Sequence, residues 1–251
     1  NAIELKNITK RFGEKVIAND SVNLTVRKGE ILSLLGENGS GKTTLAKLLL
    51  GVLHPTHGEC YFYGCNYKML NSNDMHRYIG TVFQDYIVLH KSLKDNVAYG
   101  DISNINNEQL ISDSIALADL TDVEQSLPHG RETLLGKQAN DDGSDLSGGE
   151  LQRIALARMY MSRRKIYILD EPAAALDPIA EMTQFKNIKN KLNDCTAVLI
   201  SHRIGFARLA DRIFVLKDGN IVETGTHEEL IQNGGYYKEL FERQAEWYRH
   251  S

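Results

Sequence analysis

The sequence predicts an α/β fold with a core of parallel strands and helices, an antiparallel β subdomain and an inserted α-helical subdomain. Three observations support this prediction. Three short runs are apolar almost throughout, as strands covered on both faces are. The first sixty residues alternate apolar and polar positions, and from about residue 86 the apolar spacing becomes helical. The 251 residues suffice for one large domain, and we interpret 1–251 as such.

The antiparallel subdomain is predicted from three amphipathic segments within residues 1–85. The segments "AIELKNITKRF", "SVNLTVRKG" and "GECYFYG" have the pattern of half-buried strands, and turns rich in Gly, Asn and Asp separate them. The same region contains "ILSLLG" at 31–36, which is apolar enough to be the first strand of the core.

The remaining predicted segments alternate between core and insertion. Residues 86–161 are predicted to form the helical subdomain, because "NNEQLISDSIALADL" and "ELQRIALARMYM" have helical spacing. Residues 162–235 continue the core with the buried runs "KIYILD" and "AVLIS", and strands separated by helices favour a parallel sheet. A hairpin is expected to turn at Asp218 and Gly219. Residues 236–251 are predicted to be a C-terminal helix that docks onto the core.

The composition argues against several other classes of protein. There are 29 basic and 33 acidic residues, a formal charge of −4, so the basic bias of a nucleic-acid binder is missing and we predict no nucleic-acid partner. Cys60, Cys65 and Cys195 lack the spacing of a zinc site and are expected to be free thiols. No apolar run approaches the length needed to cross a bilayer.

The strongest local motif is "LLGENGSGKTTLAKLLLG", which lies between a buried strand and a helical pattern. Gly36, Gly41, Lys42 and Thr43 have the spacing of the nucleotide-binding P-loop, and the strand-to-helix context is the one this motif requires. Glycines allow main-chain N–H groups to surround phosphate oxygens, Lys42 supplies charge for the β and γ phosphates, and the Thr43 hydroxyl is a ligand for Mg²⁺. A glycine-rich turn alone would not require a lysine followed by a hydroxyl.

These features predict a P-loop NTPase (RecA-like) core that binds ATP and Mg²⁺. The residues predicted to contact the nucleotide in this loop are Gly36, Glu37, Asn38, Gly39, Ser40, Gly41, Lys42, Thr43 and Thr44.

Two carboxylates follow another buried strand, in "KIYILDEP". Mg²⁺ prefers oxygen ligands and attack on the γ-phosphate needs an oriented water, so we predict Asp170 as a metal ligand and Glu171 as the base. On its own such a segment is more often the end of a strand with a cap. Its pairing with the P-loop favours the catalytic interpretation.

The segment "SDLSGGELQRIALAR", residues 144–158, resembles the signature sequence of ATP-binding cassette (ABC) ATPases. The resemblance covers essentially the whole chain, with its motifs in the family's order. It implies that Phe12 stacks on adenine and that Gln84, in "VFQD", joins the metal site to a transmembrane partner. It also implies that His202, in "ISHR", is a switch residue near the γ-phosphate, and that Asp177 signals between subunits. Taken singly, these four residues have ordinary structural interpretations; the ordered set favours the functional ones.

The signature residues Ser147, Gly148 and Gly149 open a helix, where a hydroxyl and main-chain N–H groups suit an anion. In the family that anion is the γ-phosphate of ATP held by a second ATPase domain, so the resemblance implies a head-to-tail dimer, homomeric or heteromeric, around two ATP molecules. Position 150 is Glu, where the family more commonly has Gln. A carboxylate beside a triphosphate is unfavourable if it points inward, and harmless if it faces solvent or pairs with Arg153. We expect Glu150→Gln to change ATPase activity by no more than a few-fold, and a larger change would show that the carboxylate points at the nucleotide.

Other segments resemble ABC exporters. They are "TVFQDYIVLHKSLKDNVAYG", the glycine-bearing stretch that precedes the signature, and "ISHRIGFARLADRIFVLKDGNIVETGTHEEL". They are similar to bacterial peptide, bacteriocin and lantibiotic exporters, and multidrug and lipid exporters share much of the pattern. Because the chain starts at Asn1 without an initiator Met, we expect a transmembrane domain fused upstream and a location on the cytoplasmic face of the inner membrane.

The sequence therefore predicts the ATP-hydrolysing motor domain of an exporter, and three alternatives were weighed. A separately encoded importer subunit would normally begin at its own Met. A soluble ABC ATPase for chromosome maintenance, repair or cofactor assembly is the second alternative; the chromosome types need long heptad segments, which the sequence does not contain. A binding module with little turnover is disfavoured by Glu171.

Overall fold

The computed structural model describes residues 1–71, 75, 77–136 and 144–250, the last five of them as backbone alone. These residues form two compact units. The first contains Asn1–Ile79, Arg164–Glu171 and Leu192–Ser251, and the second contains Gly80–Arg163 and Pro172–Lys191. Residues 137–143, within the glycine-bearing stretch before the signature, lie outside the described residues.

The strands, in chain order, are β1 (Ile3–Phe12), β2 (Val16–Val26), β3 (Ile31–Gly36), β4 (His57–Phe62), β5 (Cys65–Asn66), β6 (Ile79–Val82), β7 (Ile166–Asp170), β8 (Thr196–Ser201), β9 (Arg212–Lys217) and β10 (Asn220–Gly225). The α-helices are α1 (Lys42–Leu49), α2 (Leu93–Ala98), α3 (Glu108–Leu117), α4 (Thr121–Ser126), α5 (Gly148–Met161), α6 (Pro178–Leu192), α7 (Ile204–Ala207), α8 (His227–Asn233) and α9 (Tyr236–His250).

The first unit holds two sheets. One is antiparallel, with strand order β2-β1-β4-β5, and it corresponds to the predicted β subdomain. In the other, β3 lies between β8 and β9 and pairs with both in parallel, while β7 lies on the far side of β8. Every residue of β3, β7 and β8 is buried, which explains why these strands are apolar almost throughout. The predicted α/β fold class is confirmed.

The parallel pairing brings the ends of three strands to one edge of the sheet. Leu35 pairs with Ser201, and Asp170 pairs with Ile200, so the segments that follow β3, β7 and β8 leave the sheet side by side. Ligand sites in open α/β sheets lie at this carboxyl edge. The hairpin predicted after β9 is also present, and Asp218 and Gly219 adopt the positive φ angles of 49° and 79° that its tight turn needs.

The second unit is mainly helical. Its helices α2 and α3 pack against α5, and Gly100 allows the closest approach, since a Cβ there would lie 2.1 Å from the carbonyl oxygen of Arg158. Buried Asn96 links these segments: its side-chain amide donates to the carbonyls of Leu89 and Ser92, and its main-chain carbonyl accepts from the Arg158 guanidinium. Within the described residues of both units, each helix is too short or too polar to span a bilayer.

Candidate nucleotide site

The loop between β3 and α1 has a conformation that only glycine fits at two positions. A Cβ on Gly36 would lie 2.4 Å from the Leu216 carbonyl oxygen, and one on Gly41 would lie 2.2 Å from that of Ala18. Gly41 also has a φ of 97°, which other residues rarely adopt. Neighbouring Asn19 is fully buried and donates to the Gly41 carbonyl at 3.3 Å. The loop is therefore held tightly by the strands beneath it.

Lys42, the first residue of α1, folds back across this loop. Its Nζ donates to the carbonyls of Gly36 at 2.7 Å and Glu37 at 2.9 Å, and the residue is only 6% exposed. Burial lowers the pKa of Lys42, and the carboxylates of Glu171 and Asp170 counter part of that shift. The ammonium group is thus fixed at the mouth of the loop, where it can attract an anion.

Asp170, at the end of β7, has the character of a cation ligand. It is 1% exposed, and neither of its carboxylate oxygens makes a hydrogen bond of normal geometry to a described residue. Burial raises the pKa of Asp170, and the nearby Thr43 hydroxyl and Lys42 ammonium offset only part of the shift. A buried carboxylate that makes no hydrogen bond of normal geometry, beside a threonine hydroxyl, fits the oxygen donor set that Mg²⁺ prefers.

Glu171 has a strained backbone and a carboxylate held from three directions. Its φ is 49°, in the left-handed region that costs about 1–3 kcal/mol for such a residue. Its carboxylate accepts from the Ser201 hydroxyl at 3.0 Å and the His202 main-chain N–H at 2.9 Å, and the His202 ring Nδ1 lies 2.8 Å from Oε1. Burial alone would raise the pKa of Glu171, but the contacts with His202 and Ser201 outweigh it and lower the pKa. The carboxylate is therefore anionic at neutral pH, the form in which it can accept a proton.

The predicted signature residues lie in the second unit, at the start of α5. Ser147 caps the helix: its hydroxyl accepts from the Glu150 N–H at 3.3 Å and donates to Glu150 Oε2 at 2.8 Å, and its own N–H donates to the same oxygen at 2.7 Å. The carboxylate of Glu150 is therefore turned toward the signature serine. Arg153 pairs with Asp119 at 3.1 Å instead, so the pairing with Glu150 considered from the sequence is not the arrangement found.

Asp177, also in the second unit, caps α6 with its own carboxylate. Its Oδ1 accepts from the N–H groups of Ile179 at 2.9 Å and Ala180 at 3.0 Å, and the Ala180 N–H is the main cause of its lowered pKa. The segment before it is tied to the signature helix, because the Ala175 N–H donates to the Gln152 side chain at 2.7 Å. The signature helix and the segment that leads to Asp177 are thus linked by a hydrogen bond within this unit.

The structure groups the predicted residues by unit. The first unit brings together the loop residues, Asp170, Glu171 and His202, and it also carries Phe12, which ends β1 and is 46% exposed. The second unit carries Gln84, exposed just after β6, together with Asp177 and the three signature residues. Ser201, Asn19 and Gln152 support these sites but were missed from the sequence, because a polar residue in a buried strand or helix gives no sign of its partner.

Comparison with known proteins identifies the family. The sequence profile described as "ABC transporter" matches residues 19–174, which is more than half of the chain. The chain belongs to the ABC transporter family. The resemblance predicted from the signature segment is thereby confirmed, and membership implies that this ABC domain binds ATP.

Three relatives illustrate the similarity. The chain is 38% identical over 221 residues to the subtilin transport ATP-binding protein SpaT of Bacillus subtilis, which covers 88% of this chain. It is 39% identical over 239 residues to the exotoxin translocation ATP-binding protein PaxB of Pasteurella aerogenes, covering 94%. A solved structure of a bacterial Atm1-family ABC exporter with ATP bound superposes with a TM-score of 0.87 at 27% identity, over 97% of this chain.

This ABC chain is short compared with those proteins. It spans 36% of SpaT, 33% of PaxB and 41% of the Atm1-family chain.

Proposed function

We propose that this chain is the ATP-hydrolysing motor domain of an ABC exporter. The observation that carries the proposal is Glu171, a buried carboxylate kept anionic by His202 and Ser201 at the same sheet edge as the P-loop. The relatives support the exporter class, since their names describe transport of subtilin and translocation of an exotoxin. Another relative, 39% identical over 241 residues, is an ATP-dependent lipid A-core flippase of Ralstonia nicotianae.

In the proposed reaction the loop N–H groups and Lys42 bind the phosphates of ATP. Glu171 accepts a proton from a water molecule as the water oxygen attacks the γ-phosphorus; the bond to ADP breaks, and the proton passes on to the products. His202 orients the Glu171 carboxylate. Thr43, Asp170 and Gln84 would hold Mg²⁺, which when bound neutralises phosphate charge. Phe12 would stack on the adenine.

The proposal also covers the assembly. Ser147, Gly148, Gly149 and Asp177 would act on the ATP of a second ABC domain, identical or homologous, in a head-to-tail dimer. The boundaries predicted from the sequence, 1–85, 86–161, 162–235 and 236–251, would be parts of one ATPase domain. That domain would act at the cytoplasmic face of the inner membrane through a fused transmembrane partner. A peptide is the proposed cargo, with a lipid as the alternative that the flippase favours.

The test is the Glu171→Gln variant, which keeps the shape of the side chain and removes its ability to accept a proton. We expect turnover with Mg²⁺ and ATP to fall at least about a hundred-fold, the range for loss of a general base, while a fluorescent ATP analogue still binds. Lys42→Ala is expected to lose binding as well. The matched control, Glu228→Gln, changes an exposed glutamate on α8 and should behave as the wild type.

Full turnover in Glu171→Gln would remove that residue from the role of base. Binding of the analogue without hydrolysis by the wild type would favour the nucleotide-regulated binding module instead. Turnover measured with and without Mg²⁺ tests the metal separately.

A further inference from the structure

The C-terminal helix α9 reaches the segment that carries His202. The Gln244 side chain makes two main-chain contacts there: its Nε2 donates to the His202 carbonyl, and its Oε1 accepts from the Ile204 N–H at 3.0 Å. An amide side chain can donate and accept at once, which a carboxylate cannot do. Gln244 therefore holds the main chain between β8 and α7 through two hydrogen bonds, one to a carbonyl and one from an N–H.

The same helix also contacts the P-loop. The Tyr236 hydroxyl donates to Glu37 Oε2 at 2.9 Å, and the Arg243 Nη1 lies 3.0 Å from Oε1 of the same carboxylate. The Lys217 ammonium lies 4.5 Å from the centre of the Tyr236 ring. Tyr236 and Arg243 are seven residues apart, so they lie two helical turns apart on one side of α9. This side of the helix faces the loop.

A second side of α9 anchors it in the core. Tyr237 is fully buried and Leu240 is 6% exposed, in a cluster with Leu35 and Val215. Gln244 follows Leu240 by one turn and so lies on the same side.

The start of α9 is fixed as well. The Glu223 carboxylate accepts from the N–H groups of Tyr236 at 2.9 Å and Tyr237 at 2.7 Å, where an anion complements the helix dipole. A helix fixed at its first turn and along one side places Gln244 accurately.

A cavity of about 580 Å³ lies beside α9 and the first residues of the P-loop. Gly36, Asn38 and His202 line one part of it, and Leu240 and Gln244 line another. The helix therefore lines a cavity that it shares with His202 and the start of the P-loop, within the same unit of the molecule.

We propose that Gln244 is a positioning residue for ATP hydrolysis: by holding the main chain at His202 and Ile204, it sets the His202 ring against Glu171. The proposal rests on the proposed ATPase function. The chain of contacts is continuous, because the main-chain N–H and the ring of His202 both meet Oε1 of Glu171 while its carbonyl meets Gln244. Through their contacts with Glu37, Arg243 and Tyr236 also hold the P-loop next to the helix that contacts the His202 segment.

Two variants separate the contacts of Gln244. Gln244→Met keeps the length and packing but removes both hydrogen bonds, and Gln244→Glu keeps only the acceptor for the Ile204 N–H. We expect both variants to lower kcat about ten-fold with KM for ATP unchanged, since Lys42 and the loop N–H groups do not contact Gln244. Amide hydrogen exchange at Ile204 should be faster in the Met variant and as slow as in the wild type in the Glu variant.

Normal exchange combined with low kcat in Gln244→Glu would show that the contact to the His202 carbonyl matters for catalysis. The control Glu242→Gln alters an exposed residue of the same helix and should change neither quantity. Wild-type kcat in Gln244→Met would overturn the proposal, as would a loss of ATP binding equal to the loss of kcat, which indicates a structural role. A wild type that hydrolyses no ATP would instead refute the proposed ATPase function.

Discussion

Glu150 shows how a single residue can modify a recognised motif. Its carboxylate accepts from both the N–H and the hydroxyl of Ser147, which are the groups that the signature is proposed to offer to a γ-phosphate. The contact stabilises the start of α5, a reciprocal cap worth about 1 kcal/mol. It also places a negative charge where the proposed γ-phosphate would bind. Stability of the helix and affinity for phosphate are therefore opposed at this position.

This geometry adds a prediction on dimer formation to the one on ATPase activity. We expect the neutral Glu150→Gln variant to need several-fold less ATP to form a dimer, because the repulsion of phosphate disappears and Ser147 donates more freely. Its thermal stability should fall slightly with the weaker cap. Dimer formation is measured by light scattering in the Glu171→Gln background, where ATP is not consumed.

The control for this comparison is Asp119→Asn, which removes the same charge from the same unit without contacting Ser147. An Asp119→Asn variant as responsive as Glu150→Gln would show that net charge, rather than the contact with Ser147, sets the affinity.

Residue roles could be predicted from the sequence only where a motif fixes both type and spacing. Lys42, Asp170 and Glu171 were predicted because each lies at or after the end of a buried strand, at a position that phosphate chemistry requires. The contacts of Gln244 were not predicted, because its partners are 40 and 42 residues away along the chain. The segment "ERQAEW" contains no motif that distinguishes Gln244 from an exposed polar residue of a helix. Contacts between distant segments depend on packing, which periodicity does not encode.

In the P-loop, glycines are required for two reasons, the backbone conformation of the loop and its close contact with a neighbouring strand. Gly41 needs a positive φ to start α1 and also has no room for a Cβ beneath the Ala18 carbonyl. Gly39 has a φ of 82°, but a Cβ there would meet no heavy atom within 4 Å. A side chain at Gly39 would therefore meet backbone strain alone, whereas a side chain at Gly41 would meet both backbone strain and a steric collision.

We expect Gly41→Ala to be much more damaging than Gly39→Ala. The Gly39 variant bears only the left-handed penalty of about 1 kcal/mol, and it should stay folded with a slightly lower Tm. The Gly41 variant must also displace β2 or the loop, so it should lose ATP binding and several degrees of Tm. Thermal unfolding and nucleotide binding check both, and equal effects of the two substitutions would contradict the steric argument.

At the level of elements, the longer strands and the helices α1, α3, α5 and α9 were predicted from local pattern, and strand order was not. The runs that became β3, β7 and β8 were visible as apolar segments, yet their arrangement with β3 between β8 and β9 depends on crossover connections. The helical subdomain is predicted at 86–161, and the compact second unit contains Gly80–Arg163 together with Pro172–Lys191. Helix α6 joins it through tertiary contacts, such as the Tyr160 hydroxyl donating to Gln184 at 2.8 Å.

For the molecule as a whole, the proposed chemistry is divided between the two units. The P-loop and Glu171 belong to the first, and Ser147 and Gly148 belong to the second. In the proposed head-to-tail dimer, the P-loop of one chain works with the signature of the other, so a defect in each motif should affect different sites.

Complementation between two inactive variants tests this division. Lys42→Ala disables the P-loop. Gly148→Asp places a carboxylate at the signature, and the chain itself should tolerate it, because a Cβ there meets no heavy atom within 4 Å. Neither variant alone should hydrolyse ATP. Random mixing gives about half mixed dimers, each with one intact site of two, so activity should recover to about a quarter of the wild type. If each chain completed its own site, the mixture would stay as inactive as its parts, and the head-to-tail arrangement would be wrong.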